Sequence, residues 1–302
     1  MALQAKAIKQ KMRSVGNIKK ITRTMETISV SKMKRAVSEA QASKKYAFAV
    51  FDLLSYISRE NGLKKSSYLF NKKKEGTKLI VVMSSDKGLC GAYNMNIYKK
   101  LVAFRGKYGD DIECITVGRH SEHMANKLGI KIIASFVRVS ERNSEEQMRA
   151  LAKIAILNFK EKSHESVFVL YTDFIKASRF EPIIREILPL NEKMAYDVLT
   201  ESGFPEKNGF KRENFSSYIF EPNESFILET ILPRLVESIF EQCFLEAAAS
   251  EHSSRMFAMK AASDSASYMF DSLNISYNYA RQDAITRELS EIVGGSGAME
   301  NQ

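Results

Sequence analysis

The stretch SSDKGLCGAYN (84–94) follows the apolar run KLIVVM (78–83). A buried strand, a glycine-bearing loop and a helix, in that order, is a place where proteins hold phosphate. A P-loop needs a lysine followed by Ser or Thr at the helix start, so that ammonium and hydroxyl reach the phosphates and Mg²⁺. Here Lys87 precedes Gly88 and no such pair follows. A dinucleotide fingerprint needs three closely spaced glycines directly after the strand, and this loop offers Gly88 and Gly91, set well beyond it. Arg119, after the second strand-like run, has the charge to meet a 2′-phosphate, but nothing else supports that role. His120 and His123 form an HxxH without a Cys or carboxylate at ligand spacing, which reads as a surface pair rather than a metal site. No Ser-His-Asp or Cys-His arrangement stands out. These residues point to a turn-forming loop at the end of a sheet, with no catalytic group, metal or cofactor expected.

The elements around that loop change character along the chain. All five prolines (Pro182, Pro189, Pro205, Pro222, Pro233) fall in one span and leave both flanks free of the strongest helix breaker. In the first flank Ile8, Met12, Val15, Ile18, Ile21, Met25, Ile28, Met33, Val37 and Ala40 recur at helical steps, with Gly62 as a stop. The spacing predicts one long helix that buries this stripe. In the last flank Asn223 is a good N-cap and Pro233 either kinks the helix or marks its start. A stripe then runs through Leu235, Ile239, Cys243, Met256, Met259, Ala262, Met269, Leu273, Tyr277, Ala280, Ala284 and Ile292, and Gly294-Gly295 would end it. The Ala- and Ser-rich stretch 246–267 suits close approach of a second helix. Two such helices brought together across a central domain run antiparallel as a coiled coil. Between them, strand-like runs at 78–83, 112–117, 131–137 and 166–171 alternate with helical patterns at 96–105, 121–128 and 144–161, which gives a mostly parallel Rossmann-like sheet. The polar stretch 192–216 reads as an exposed loop. The expected divisions are an N-terminal helix (1–62), an α/β domain (76–190), a loop and foot segment (191–222) and a C-terminal helix (223–295).

Composition sets the outer bounds. The chain has 302 residues, 44% hydrophobic and 27% charged, as in a folded protein with ample core. No apolar run approaches the roughly 18 residues that cross a bilayer, and the helical pattern starts almost at residue 1, leaving little room for a targeting peptide. Cys90, Cys114 and Cys243 are widely spaced and odd in number, which suits buried thiols. The net charge of +9 is concentrated: residues 1–45 hold twelve Lys/Arg against Glu26 and Glu39. Such concentration invites an acidic partner. Nucleic acid is a poorer fit, because residues 1–45 contain no aromatic platform for stacking and no helix-turn-helix or zinc-finger pattern accompanies them. A membrane-surface helix is disfavoured too, since the stripe lacks Trp and Phe anchors there.

Four stretches carry a resemblance: KKITRTMETISVSKMKRA (19–36), SSDKGLCG (84–91), ASEHSSRMFAMKAASDSAS (249–267) and YARQDAITRELSEIVGG (279–295). Together, and in this order, the chain resembles the γ subunits of F-type ATP synthases. The resemblance implies an antiparallel coiled coil of both terminal helices with a Rossmann-like domain at its base. It implies a rotating, non-catalytic central stalk inside a hexamer of α and β subunits, resting on the c-ring beside an ε subunit, on the cytoplasmic face of a bacterial inner membrane. In that family Met25 matches a methionine that faces an acidic β-subunit loop, and Arg255 matches an arginine coupled to it. Arg281, Gln282 and Thr286 match the set that engages a β catch loop, and Tyr218 and Glu221 align with foot residues near the c-ring. Lys9, Lys11, Lys19, Lys20 and Arg23 form the basic face toward the acidic β loops. The glycine loop is structural in that family; its usual GGLN ending is altered here by Ala92 and Tyr93. The paired cysteines of thiol-switched chloroplast members have no counterpart in 192–216, so redox control by that route is not expected. The other readings of the residues are a stand-alone nucleotide-binding α/β protein that dimerises through its terminal helices, and a basic nucleic-acid binder.

Overall fold

The computed structural model describes residues 2–61, 69, 76–139, 143–161, 164–190, 221 and 224–299. The loop read at 192–216, Tyr218, Gly62 and Asn223 lie outside them. Helix α1 (Ala2–Asn61) opens the chain and helix α5 (Glu224–Met299) closes it. Between them come β1 (Thr77–Met83), α2 (Tyr93–Tyr108), β2 (Ile112–Val117), α3 (Arg119–Lys127), β3 (Lys131–Phe136), α4 (Ser144–Glu161), β4 (His164–Lys176) and β5 (Arg179–Leu188). One expected stop is corrected: α5 continues through Gly294 and Gly295 to Met299. Of the two readings of Pro233, the one that puts it inside the helix holds, and it does not mark the start.

The described chain forms two compact units. One comprises residues 1–29 with 256–302, and the other comprises residues 30–255.

The larger unit is built on one five-stranded sheet of order β3-β2-β1-β4-β5. The first four strands are parallel, and β5 pairs antiparallel with β4, placing Ile183 opposite Tyr171. Strand β5 is the element the sequence hid. Pro182 reads as a breaker, yet an edge strand has one side without ladder partners, where a missing N–H costs nothing. The period of two sorts β1 between two cores. Leu79, Val81 and Met83 face α4, α5 and the buried Ala36 and Ala40 of α1. Ile80 and Val82 face α2 and α3 through Ile97, Leu101, Phe104, Met124 and Ala125. With both faces covered, the central strands read as unbroken apolar runs rather than alternating ones.

In the smaller unit, Met259, Ser263 and Ala266 are buried on α5, followed by half-buried Phe270, Leu273, Tyr277, Ala280 and Ala284. The steps alternate four and three, a heptad seam. On α1, Val15, Thr22 and Ser29 are buried seven residues apart. The two hydroxyls bond their own helix, Thr22 to the Ile18 carbonyl at 3.0 Å and Ser29 to that of Met25 at 2.7 Å. The expected single stripe on α1 is therefore corrected to two rows, because apolarity alone could not see Thr22 and Ser29 inside the seam. Ile18, Ile21 and Ile28 are exposed, each by about half, in a row that includes half-buried Met25.

Candidate functional site

The site residues suggested by sequence fall into two groups, one in each unit. In the smaller unit, Lys9, Lys19, Lys20 and Arg23 line a groove of about 1140 Å³. Arg13 joins them there, and the groove has no carboxylate among its lining residues. Gly16 opens the groove. A β-carbon at that position would rest 3.7 Å from the Phe270 ring, so the bare backbone leaves the aromatic floor uncovered. Asn17, Asn274, Tyr277 and Asn278 complete a polar lining. Lys11 is exposed but lies outside the groove, and Arg23 shares its charge with Glu26 at 2.9 Å. Five cations with no lining anion make this surface a receptor for negative charge.

The residues of the ARQDAIT stretch lie on neighbouring rows of α5. Arg281 continues the row of Asn274 and Asn278, at steps of four and three. Gln282 and Thr286 fall on another row, with Tyr268, Ile275, Tyr279, Leu289 and Val293. Every member of that row is exposed, Tyr268 by 80%. An exposed row of aromatic and aliphatic side chains interrupted by an amide and a hydroxyl is an unusual surface for a chain in isolation.

In the larger unit, the opening loop resolves into a cross-linked turn. Ser85 N–H donates to Asn94 Oδ1, and Asn94 Nδ2 donates to Ser85 Oγ at 2.7 Å. Asp86 takes the place an anion would have. Its Oδ1 accepts Arg119 N–H at 3.2 Å, and its Oδ2 accepts Arg138 N–H at 2.9 Å. The next two amides of α3 are bonded as well, His120 N–H to the Ser85 carbonyl and Ser121 N–H to Ser84 Oγ. These first-turn donors are what makes a helix N-terminus a phosphate seat. Gly118 is required there. Its φ is +91°, and a β-carbon would drive into the Ser84 carbonyl. His120 is half-buried and His123 exposed, and no metal-holding group of His, Cys, Asp or Glu occurs among the described residues.

Helix α5 is sewn to this unit by its small polar residues. Ser250 Oγ donates to the Thr172 carbonyl at 3.1 Å, Ser253 Oγ to that of Ala177, and Ser254 Oγ to that of Cys90 at 2.7 Å. Tyr93 O–H returns a bond to the Ala247 carbonyl at 3.2 Å. The first part of the Ala/Ser-rich stretch brings α5 against strand and loop backbone through hydroxyls, while Met259, Ser263 and Ala266 of its second part lie in the heptad seam. Arg255 ends this series. Its guanidinium donates to the carbonyls of Lys87 and Gly88 and pairs with Glu251 at 2.7 Å, leaving the side chain 12% exposed. Composition showed the small residues, but which carbonyls they meet depends on the sheet and could not be read from spacing.

Those bonds bracket Leu89, which is 62% exposed at φ +62°. A left-handed backbone costs a residue with a β-carbon roughly 1–2 kcal/mol. Glu221 is exposed. Behind Ser250 the joint is deeply polar: Glu246 is fully buried and bonded by Gln242 Nε2 at 2.8 Å. Burial, reinforced by Asp173, pushes its carboxyl up to about 8.

The profile of a family described as ATP synthase matches residues 4–299. The chain is 34% identical to the ATP synthase gamma chain of Paraburkholderia xenovorans over 298 residues, 97% of this chain and 99% of that one. It is also 34% identical to the ATP synthase gamma chain of Staphylococcus epidermidis over 300 residues, covering 98% and 99%. Its fold is similar to a chain of the mitochondrial ATP synthase of Euglena gracilis, in an assembly of OSCP, F1 and c-ring. There the TM-score is 0.64 at 16% identity, covering 99% of this chain and 95% of that one. A chain of the central stalk and c-ring of Tetrahymena thermophila mitochondrial ATP synthase gives a TM-score of 0.57 at 22% identity, covering 80% and 99%.

Proposed function

The chain belongs to the ATP synthase γ-chain family, and on that premise we propose that it is the non-catalytic central shaft of a proton-translocating F-type complex. The observation that carries this reading is the pair of surfaces on the smaller unit: a heptad seam that holds the helices together, and beside it exposed apolar rows and a cationic groove. A chain working alone has no use for Ile18, Ile21, Ile28, Tyr268 and Tyr279 in water. A shaft enclosed by a ring of other subunits does.

In this function the α and β subunits surround the coiled coil, and the foot, with Tyr218 and Glu221, meets the c-ring beside ε. Lys9, Lys11, Lys19, Lys20 and Arg23 face acidic loops of β. Met25 contacts the same loops, and Arg281, Gln282 and Thr286 engage a second β loop. The divisions 1–62, 76–190, 191–222 and 223–295 serve as shaft helix, α/β body, foot segment and second shaft helix. Long-range attraction by the groove favours docking, while the apolar rows slide without directional bonds that would hold the shaft at one angle. Torque enters through the body and reaches α5 through the serine bonds and Arg255. The nucleotide chemistry belongs to the neighbours, a reading supported by the Asp86 carboxylate on the first amide of α3. No helix among the described residues is long and apolar enough to cross a membrane, so the chain associates with the bilayer through its complex, on the cytoplasmic face of a bacterial inner membrane.

Co-expression with α and β subunits, followed by sizing and an ATPase assay, tests the reading. A stoichiometric complex that loses activity when residues 1–25 and 281–302 are removed supports it. A chain that elutes alone and binds ATP itself overturns it.

A further inference from the structure

In the larger unit, residues of α1, α4 and α5 enclose a cavity of about 460 Å³, within the roughly 300–1,000 Å³ of small-molecule sites. Glu39, Glu145, Glu237 and Glu241 line it against two guanidiniums, those of Arg149 and Arg234. The lining is therefore two charges negative, in a chain whose net charge is +9. Arg35, outside the lining, holds Glu39 Oε1 at 2.8 Å and offsets one of those charges. Arg149 is engaged by Glu145 at 2.7 Å and by Glu237 at 3.6 Å. That leaves Glu39 Oε2 buried with no hydrogen-bond partner, and Glu241 with no ion pair among the described residues. A separate observation comes from Ser238, which lines the same cavity and is 5% exposed. Hydroxyls elsewhere on α5, at Ser267, Ser276 and Ser290, bond the carbonyl four residues back. The Ser238 hydroxyl has no partner among the described residues. A hydroxyl that is costly to bury unmet opens instead onto the carboxylates.

We propose that this cavity binds an aliphatic polyamine, a small linear cation whose ammonium groups meet Ser238 Oγ and the carboxylates of Glu39 and Glu241. A primary ammonium carries three donors and no acceptor, which suits a lining of unpaired acceptors. A single metal ion fits less well, because no group of His, Cys, Asp or Glu among the described residues is placed to hold one. Carboxylates that are spread over three helices match charges spread along a chain, and the methylenes between them can lie against Ala42. Burial pushes the Glu241 carboxyl up, with Glu145 and Glu39 adding to the rise and Arg149 opposing it. A cation seated among these groups relieves that repulsion. By bridging α1, α4 and α5 the ligand ties the start of the first helix's body segment to the sheet's own cover, whatever the chain's partners are.

Calorimetric titration of the purified full-length chain with spermidine, at low ionic strength, tests the site. One saturable site per chain is expected, with a melting temperature that rises with spermidine concentration. The chain's positive charge repels polyamines elsewhere, so saturation marks a built site. Ser238→Ala is expected to weaken binding about threefold and Glu241→Gln about tenfold. Neither should lower the melting temperature of the free chain, since one removes an unmet hydroxyl and the other a charge that burial disfavours. Glu181→Gln, at an exposed carboxylate of β5, should keep wild-type affinity. Absence of saturable binding in the wild-type chain overturns the proposal, as does equal affinity in wild type and Glu241→Gln. It also falls if Glu181→Gln weakens binding as much as Glu241→Gln, or if Mg²⁺ at matched ionic strength gives the same melting shift.

Discussion

The Arg255 guanidinium reaches the Lys87 carbonyl at 2.9 Å, joining two residues 168 positions apart. One side chain thus fixes the loop after the first strand to the last helix. Sequence resemblance gives this arginine a role toward a β subunit, yet its bonds are made inside its own chain. The surface consequence is local order in residues 87–90. The energetic consequence is that Arg255 also neutralises Glu251, itself only 18% exposed.

Arg255→Ala should lower the unfolding free energy of the isolated chain by about 1–3 kcal/mol, since two carbonyls and one carboxylate lose a charged donor. Urea titration measures it. The lowered midpoint should come with faster amide exchange in residues 87–91.

Replacing Ser250, Ser253 and Ser254 together by Ala removes three hydroxyl donors from backbone carbonyls of the body while preserving helix propensity. A loss of about 2–4 kcal/mol is expected at roughly 1 kcal/mol per bond. In the assembled complex the same variant should hydrolyse ATP while pumping less. Unchanged proton transport per ATP would exclude these bonds from torque transfer.

Glu246 and Glu113 predict opposite pH limbs. The Glu246 carboxyl, held up to about 8 by burial and by Asp173 against an ordinary 4.5, keeps its proton in the fold. The folded chain binds more protons than the unfolded one between those values, so stability falls as pH rises from about 4.5 toward 8. Tyr171, Arg185, Gln242 and Cys243 also face this carboxyl; burial keeps Tyr171 and Cys243 neutral, Gln242 donates to it, and the Arg185 charge opposes the rise. Glu246→Gln should flatten that limb. Glu113 is held below its ordinary value by its bond from Lys131 at 2.6 Å, with burial opposing and His164 assisting. Its contribution is present above 4.5 and is lost as pH falls, so the Gln variant should retain a decline in acid. Melting temperature against pH in both chains decides it.

Converting Lys9, Lys19, Lys20 and Arg23 to Gln should leave the fold unchanged, because all four are exposed. Hexamer association should slow and lose much of its salt dependence. Equal salt slopes for variant and wild type would remove the groove from docking, and unchanged ATP-driven pumping would remove it from coupling.

Gly118→Ala is expected to be among the most damaging single changes in the body, costing several kcal/mol through both the positive φ and the collision with Ser84. Circular dichroism on the purified variant gives the answer.

Much of the architecture was legible before any coordinates. Four parallel strands and three helices of the body stood out because apolar runs and helical periods change abruptly there. Strand β5 did not, since Pro182 and its charged neighbours speak for a loop unless an edge is known. The seam on α1 was half legible: hydrophobic spacing merged Ile18, Ile21 and Ile28 with the buried row because a hydroxyl bonded to its own backbone can be buried without being apolar. Arg13 and Gly16 were passed over because a groove needs two helices to exist. The serine bonds and Leu89 depend on where distant backbone comes to rest, and no spacing rule carries that.

The Asp86 carboxylate has a further meaning in terms of competition. A nucleotide seeking the first amide of α3 would have to displace a carboxylate tethered to the preceding loop, present at an effective concentration of about millimolar or above. The seat is filled in proportion to folding and not in proportion to any solute.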